Sequence, residues 1–199
     1  MPRIKVVMAR NVEFNETEAI QKAMEVFWQK GYTGASLRDL TDAMQINSSS
    51  LYNTIGDKHQ LFVKCIKNYT ETKMEEAIKR AQSASSPMVA IINLINDSVN
   101  VIINDNKSCM AIKTTFEIAA TDKTVQEILK VDSDFTYDFV FGLITKAIEA
   151  GEMDKDEDPA MLTDYFISMI AGWHQSFILH QDPIRLKKMG KYLINQLTN

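Results

Sequence analysis

The chain has few of the residues that interrupt helices and few of those that form cross-links or metal sites. Its 199 residues include seven glycines, four prolines, two cysteines and three histidines. Two cysteines cannot build the set of disulfides that stabilises many small secreted domains. No spacing of histidines, cysteines and carboxylates is typical of a metal site, so we predict neither a metal nor a cofactor. The scarcity of glycine and proline leaves long stretches free to form helices.

Long apolar runs and catalytic motifs are also missing. No apolar run near the start has the form of a signal peptide, and none reaches the roughly 18 residues that span a bilayer. We therefore expect a cytoplasmic protein without membrane contact. The sequence contains no glycine-rich phosphate loop and no set of nucleophile, base and orienting group. An all-helical enzyme is accordingly the weakest of three functional hypotheses.

Charge is ordinary in amount and uneven in distribution. The chain is 45% hydrophobic and 24% charged with a net charge of −4, as in a globular protein with one domain or two small ones. Residues 1–64 carry slightly more Lys and Arg than Asp and Glu, whereas residues 81–199 are acidic. The less acidic N-terminal part indicates a surface that can meet a polyanion.

Apolar residues recur with the helical period of 3.6 along nearly the whole chain, and we find no convincing strand or internal repeat. The predicted fold class is all-α, with a three-helix head and a six-helix body that share a long fourth helix. Caps and breaks delimit about nine helices. Their expected extents are 15 or 17 to 31, 36–44, 47–54, 57–81, 87–104, 109–120, 122–150, 159–180 and 184–197.

The second and third predicted helices are separated only by residues 45–47. This is the spacing of a helix-turn-helix, in which the second helix enters the major groove of DNA. Three serines at 48–50 make its first turn thin enough for a groove about 12 Å wide. Tyr52 can reach a phosphate or a thymine methyl group, and Lys58 can neutralise a phosphate. The alternative is a capped surface helix, because clusters of Ser and Asn commonly mark only a turn.

The segment 12–62 resembles the N-terminal domain of the TetR family of bacterial transcriptional regulators. The resemblance covers about 50 contiguous residues at the expected spacings. The features that carry it are Phe27 before "KGY", Ala35-Ser36, Leu37 and Leu40, the turn Ile46-Asn47, "SLY" at 50–52, and "GDK" followed by Leu61-Phe62. Three positions depart from the family pattern: Ser48 stands where relatives often have Lys, Arg or Pro, and Thr54 and Ile55 replace residues that are more often aromatic.

The resemblance implies a homodimer that represses, or sometimes activates, transcription from a palindromic operator in double-stranded DNA. It also implies a small-molecule effector that binds the body and changes the spacing of the two heads. We expect a DNA-binding domain at 1–56 and a regulatory and dimerisation domain at 57–199, with the fourth helix as connector. Carried over by position, the DNA-facing residues are Arg10, Ser36, Ser48, Ser49, Ser50, Tyr52, Asn53, Thr54 and Lys58.

The third helix carries no positive charge. This favours a different hypothesis, a helical interaction or scaffold protein whose head no longer binds DNA.

An effector pocket is expected among the aromatic and aliphatic residues of the body. Eleven methionines and several large aromatic residues suit an adaptable site for a largely apolar ligand. The alternative is ordinary core packing, since apolar stripes at helical spacing are usually core. The candidate pocket residues are Ile66, Tyr69, Ile95, Cys109, Phe116, Phe135, Phe139, Phe166, Met169, Trp173, His174 and Phe177.

Cys109 has two interpretations. In a subset of TetR-like proteins a Gly-Cys segment opens the sixth helix, and some of these relatives sense oxidants or electrophiles through the cysteine. Here Lys107 and Ser108 precede Cys109, and Glu117 follows it. The other interpretation is a small residue that packs the start of the helix, and both remain open.

The eighth and ninth helices would form the dimer interface if the resemblance holds. A glycine and a serine four residues apart allow two helices to approach closely. The candidate interface residues are Met161, Tyr165, Gly172, Ser176, Met189, Tyr192 and Leu193. The same residues could instead pack inside one subunit.

Overall fold

A computed structural model describes residues 15–104 and 109–198, and within these ranges it contains nine α-helices and no strand. The helices are α1 (Glu16–Gly34), α2 (Leu37–Met44), α3 (Ser48–Thr54), α4 (Lys58–Gln82), α5 (Pro87–Asn104), α6 (Met110–Thr114), α7 (Lys123–Glu149), α8 (Pro159–His180) and α9 (Pro183–Thr198). A π-helical segment, Thr115–Ala119, continues α6. The all-α prediction and the helix-turn-helix head followed by a helical body are confirmed.

Side-chain caps explain why most helices begin where the sequence predicts. A capping side chain accepts a hydrogen bond from a backbone N–H two or three residues ahead and satisfies a donor that the helix leaves free. Ser36 and Asp57 also form reciprocal capping boxes with Asp39 and Gln60. The capping residues are Asn15, Ser36, Asn47, Asp57, Asp122 and Asp158.

Two helix ends differ from the predictions. Helix α1 does not stop at Gly31 but continues to Gly34 across a kink at Gly31, where φ is 74° and ψ is 172°. The predicted sixth helix, 109–120, divides into α6 and the π-helical segment. Both differences arise where Glu117 of the π-helical segment meets the backbone of α1, a tertiary contact that helical periodicity does not reveal.

The buried side chains form two cores. The first unites α1, α2, α3, the first half of α4, α6 and the start of α7, with Phe27, Leu51 and Phe62 fully buried. The second unites α5, the later part of α7, α8 and α9 around Ile144 and Trp173. Helices α4 and α7 therefore join the head to the body, since α4 packs against both α1 and α7.

Helix α5 corrects the expectation that no apolar run reaches membrane-spanning length. By length and composition, Pro87–Asn104 could cross a membrane. A core helix meets the same criteria, and α5 buries Ile91, Ile95 and Val99 against its neighbours in the second core. It lies so close to α9 that a Cβ atom added at Gly190 would be 2.7 Å from Cγ2 of Val99. Its apolar character is explained by this packing.

Candidate nucleic-acid interface and internal cavity

A tight backbone turn positions α3 relative to α2. Gln45 has a left-handed backbone, with φ of 58°, and ends α2. Its N–H donates to the carbonyl of Asp42 at 3.2 Å, and the N–H of Ile46 donates to the carbonyl of Thr41 at 3.1 Å. These two bonds form a Schellman motif, which reverses the chain within three residues. The turn fixes α3 as the second helix of a helix-turn-helix.

Helix α3 has one buried face and one polar face. Leu51 is fully buried, whereas 51% of the Tyr52 side chain is exposed. Ser50 is half-buried, and its N–H donates to Oδ1 of Asn47 at 2.8 Å. The exposed residues of the helix are Ser48, Ser49, Tyr52, Asn53 and Thr54. The structure thus brings together, on one short helix, the six residues predicted to face DNA at 48–50 and 52–54.

The three other predicted DNA-facing residues have different surroundings. The hydroxyl of Ser36 is exposed but engaged, since it accepts from the N–H of Asp39 at 3.1 Å and donates to Oδ2 of Asp39 at 2.7 Å. Lys58 begins α4, and its Nζ atom lies 4.7 Å from the centroid of the Tyr32 ring. Arg10 lies outside the described residues.

Positive charge near α3 comes from its neighbours. Arg38 on α2 has a side chain that is 91% exposed, and its Nε atom is 3.6 Å from Oδ2 of Asp42. An exposed pair at this distance contributes little, so Arg38 can exchange Asp42 for a phosphate. Lys30 donates to Asp39 at 2.6 Å, and this bond, together with the Ser36 contacts, holds the pKa of the Asp39 carboxyl well below its usual range. Arg38 is therefore the more available of the two cations.

The kinked end of α1 is held by the segment that follows α6. The carboxylate of Glu117 accepts from the N–H of Tyr32 at 3.0 Å and from the N–H of Thr33 at 2.8 Å. The Nζ atom of Lys113 donates to the carbonyl of Trp28 at 2.7 Å. A Cβ atom at Gly31 would lie 2.8 Å from Oε2 of Glu117, so only glycine fits the approach and the positive φ. We call these contacts of Lys113 and Glu117 with the α1 backbone at Trp28, Tyr32 and Thr33 the α1 clamp.

A second contact joins head and body at the start of α4. Nε2 of His59 lies 2.6 Å from Oδ2 of Asp122, the residue that caps α7. The N–H of Val125 and the imidazole of His59 lower the pKa of the Asp122 carboxyl. His59 lies on the side of α4 that faces the start of α7.

The body contains two adjoining cavities of about 280 and about 360 Å³. Both are lined by residues of α4, α5, α6, α7 and α8. The smaller one also reaches Trp28 of α1, and the larger one reaches Thr115 in the π-helical segment. The residues shared by the two cavities are Lys73, Ala77, Leu94, Ser98, Cys109, Ala111, Asp132, Thr136 and Phe139. The cavities therefore lie beside α6, which carries Lys113 of the α1 clamp and continues into the segment that carries Glu117.

Half of the predicted pocket residues lie at these cavity walls: Tyr69, Cys109, Phe135, Phe139, Phe166 and His174. Ile66, Ile95 and Trp173 are instead fully buried in the cores, and Met169 and Phe177 pack against the second core. Periodicity identifies an apolar stripe but not the part of it that borders a void.

Phe116 requires a different correction. Its side chain is 87% exposed and lines neither cavity. It belongs to the π-helical segment, whose wider turn shifts the direction of side chains relative to a regular α-helix. The α-helical period used to predict its direction therefore fails at this position.

Polar groups cluster on one wall of the cavities. The hydroxyl of Tyr69 donates to Sγ of Cys109 at 3.6 Å and accepts from the N–H of Met110 at 3.4 Å. Burial, with Cys109 and Asp132 nearby, raises the pKa of Tyr69. Burial also raises the pKa of the Asp132 carboxyl. Cys109 is half-buried at the start of α6, and the preceding Lys107 and Ser108 lie outside the described residues.

Sequence reasoning missed Asp132, Trp28, Lys73 and Thr136 as cavity residues. The available signal was on α7, where Asp132 and Thr136 are one turn apart beside Phe135 and Phe139.

The surfaces of α8 and α9 carry exposed apolar side chains. Met161 is 65% exposed, and Tyr165, Ile178, Leu179, Ile184 and Tyr192 are also exposed. Gly172 has open space at its Cβ position, and Ser176 and Met189 are half-buried. Leu193 corrects the predicted interface because it is 1% exposed and packs in the second core. The period of α9 directs Leu193 inward with Leu186 and Gly190, leaving Tyr192 outside.

Two protein-family descriptions match the chain. "Bacterial regulatory proteins, tetR family" matches residues 19–65. "Tetracyclin repressor-like, C-terminal domain" matches residues 89–193, which is more than half of the chain.

Individual relatives extend the match along most of the chain. The uncharacterized HTH-type transcriptional regulator YezE of Bacillus subtilis (strain 168) is 30% identical over 161 residues, which cover 79% of this chain and 83% of the relative. The HTH-type transcriptional repressor DhaR of Mycobacterium sp. (strain GP1) is 23% identical over 161 residues, covering 80% and 78%. Among solved structures, the TetR family transcriptional regulator CifR, a cysteine mutant complexed with 26-bp operator DNA, has a TM-score of 0.81 at 23% identity, covering 94% of this chain and 98% of CifR.

Proposed function

Because the chain belongs to the TetR family of bacterial transcriptional regulators, we propose that it is a homodimeric repressor that a small-molecule effector releases from a palindromic operator. Members of this family regulate transcription by binding operator DNA through a helix-turn-helix, and the family is not enzymatic. One observation supports the finer proposal: α6 lines the cavities and continues into the segment that clamps α1. A ligand that shifts α6 would therefore also shift the contacts of Lys113 and Glu117 with α1 of the head.

The proposed DNA interface is the exposed face of α3. Its serines, Asn53 and Thr54 offer small donors and acceptors to base edges, and Tyr52 adds a ring for a thymine methyl group or a phosphate. Ser36, Lys58 and Arg10 remain proposed contacts to the DNA backbone, to which we add Arg38. With this assignment, residues 1–56 would be the DNA-binding domain and 57–199 the regulatory and dimerisation domain, acting in the cytoplasm.

The proposed dimer uses the exposed apolar side chains of α8 and α9. Burial of Met161, Tyr165 and Tyr192 in a two-fold interface would remove apolar surface from water. Gly172 and the neighbouring Ser176 would allow two copies of α8 to approach closely. The dimer would present two α3 helices to half-sites about 34 Å apart.

The proposed switch is a population shift between two spacings of the heads. The effector would favour a position of α6 in which the contacts of Lys113 and Glu117 with α1 hold the heads at a spacing that does not match successive major grooves. A complete shift from one state to the other requires about 10⁴-fold tighter binding to the favoured state. The lack of charge on α3 favours one alternative, a helical scaffold protein with a degenerate head.

The test is selection of bound duplexes from fragmented genomic DNA at low and moderate salt. We expect the wild-type protein to enrich one palindromic site and Tyr52→Ala to lose or strongly weaken that enrichment. Tyr52→Phe keeps the ring and serves as the matched control for its hydroxyl. Absence of enrichment at both salt concentrations would reject the repressor proposal and favour the scaffold alternative. The enriched duplex then serves to measure release by candidate effectors.

A further inference from the structure

We propose that the cavities bind an organic cation, an amine or ammonium group on an apolar body, with the Asp132 carboxylate as its counter-charge. This inference rests on the proposed function, because the ligand concerned is the effector. Nothing in the family match specifies the charge of the ligand, which follows here from the charges and rings of the cavity walls.

Asp132 is a charged cavity residue without a partner in the described part of the chain. It lies on α7 and lines both cavities, and its carboxylate makes no hydrogen bond or ion pair with the described part of the chain. The other charged side chains at the walls are paired with one another. Lys73 lies 2.9 Å from Glu76, and Arg80 lies 3.0 Å from Asp97. Among the residues that the structure describes, one negative charge at the cavity walls therefore has no counter-charge.

The position of Asp132 separates it from those pairs. The side chains of Lys73, Glu76, Arg80 and Asp97 are each 40% exposed or more, so water screens them. Asp132 is less exposed, and burial raises the pKa of its carboxyl. A carboxylate that is removed from water without a partner is unfavourable, and a bound cation would remove that penalty.

Aromatic rings provide the second requirement for a cation. Phe135 and Phe139, on the same helix as Asp132, stack with centroids 5.8 Å apart, and both line the larger cavity. Trp28 and Tyr69 meet edge to face at 5.2 Å on the wall of the smaller one. Ring faces attract ammonium groups, and the effect is larger when the cation is removed from water. The rings also accommodate an apolar body.

The hydroxyl groups near Asp132 are engaged with other partners. The Tyr69 hydroxyl is engaged with Cys109 and the N–H of Met110. Thr136 uses its hydroxyl to donate to the backbone carbonyl of Asp132, not to the carboxylate. With respect to the described residues, the carboxylate oxygens of Asp132 are therefore available to a ligand.

The experiment compares three probes with one body and different charges: phenylbutylamine, phenylbutanol and phenylbutyrate. Calorimetry measures their binding to the full-length protein and to Asp132→Asn. Asp134→Asn is the matched control, since Asp134 is two residues away, exposed and paired with Lys130. We expect the wild type and Asp134→Asn to bind the amine at least about tenfold more tightly than the alcohol. Asp132→Asn should lose this preference and bind the alcohol as the wild type does.

Three outcomes would overturn the inference. These are preference for the carboxylate probe, equal affinity for amine and alcohol, and no binding of the amine in the millimolar range. Unchanged alcohol binding by Asp132→Asn excludes a folding defect. Release of the selected operator duplex is measured separately, so amine binding without release would contradict the proposed switch but not the cation site. If the alcohol probe released the operator duplex and the protein showed no preference for the amine, the cation site would be contradicted but the proposed switch would not.

Discussion

At the scale of single residues, the Asp132 carboxylate proposed to bind a cation is expected to destabilise the folded protein when no ligand is present. Burial raises the pKa of its carboxyl, so the folded state takes up a proton more readily than the unfolded chain. The ionised form therefore destabilises the fold above the folded-state pKa. At pH values below the ordinary Asp pKa of about 3.9, both states are protonated and the effect disappears.

Asp132→Asn is accordingly expected to stabilise the protein at pH 7. We expect an increase in Tm of roughly 2–4 °C at pH 7 that shrinks as the pH approaches about 4. Thermal unfolding followed by circular dichroism across this pH range measures it. Asp134→Asn should change Tm little at any pH, because it removes only an exposed i,i+4 pair with Lys130. A lower Tm for Asp132→Asn at pH 7 would show that its carboxylate has a stabilising partner.

The sequence predicts single residues unequally. The caps and the polar face of α3 depend on residue type and short spacing, so helix starts at 36, 47 and 57 were predicted from the chain alone, and the structure places caps at these positions. Asp132 and Glu117 were not, because their roles depend on what lies opposite them in the fold. Glu117 is 84 residues from Thr33, whose N–H it accepts. No local pattern reports such a contact.

At the scale of helices, the α1 clamp is expected to control the end of α1. Glu117→Ala removes the acceptor for two backbone N–H groups, which would cost roughly 1–3 kcal/mol of local stability. Hydrogen exchange should therefore become faster at the amides of Tyr32 and Thr33, while the amides of α5 keep their protection. Glu127→Ala, an exposed glutamate on α7, is the control. Unchanged exchange at both amides would show that the clamp does not order α1.

Packing of α9 on α5 can be tested with a pair of glycines. Gly190→Ala places a Cβ atom 2.7 Å from Cγ2 of Val99, so the Val99 side chain or one of the two helices must shift. We expect the free energy of unfolding to fall by about 1–3 kcal/mol in urea titrations. Gly142→Ala in α7 has nothing within 4 Å of the new Cβ atom. Because alanine favours a helix over glycine, this substitution should raise the free energy of unfolding by roughly 0.5–1 kcal/mol. Equal effects at the two sites would contradict close packing of α5 and α9.

The positions of the helices were predicted from the sequence more accurately than the cavity or the tertiary contacts. Period, caps and prolines gave the bounds of α5 and α8 without error, because these helices begin at Pro87 and Pro159. The kink at Gly31 and the π-helical segment were missed because a tertiary contact, not local propensity, stabilises both. The cavity was predicted only in part, since an apolar stripe has the same period whether it borders a void or a neighbouring helix.

At the scale of the whole molecule, dimerisation and DNA binding are expected to fail together. Replacing Tyr165 and Tyr192 by Asp puts charges in the proposed interface without disturbing the cores, since both side chains are exposed. Light scattering should then give a mass near 22.6 kDa in place of about twice that value. Val131→Asp, an exposed apolar residue of α7, should leave the dimer intact. A dimer that survives the double substitution would move the interface away from α8 and α9.

The charge distribution makes a final prediction about how the dimer binds DNA. Helix α3 contains no charged residue, so counterion release must come from flanking cations such as Arg38 and Lys58. Each neutralised phosphate contributes about −0.9 to the slope of log K against log salt concentration. Arg38→Ala removes one such contact from each subunit and should make the slope less steep by about 2.

Filter binding or fluorescence anisotropy on the selected duplex, at several salt concentrations, measures this slope. Lys130→Ala removes an exposed charge from α7 and should leave the slope unchanged. Because Arg38 would contact a phosphate and not a base, its removal should weaken matched and mismatched sites alike. A loss confined to one base position would instead mean that Arg38 reads the sequence, and that the uncharged α3 shares base recognition with α2.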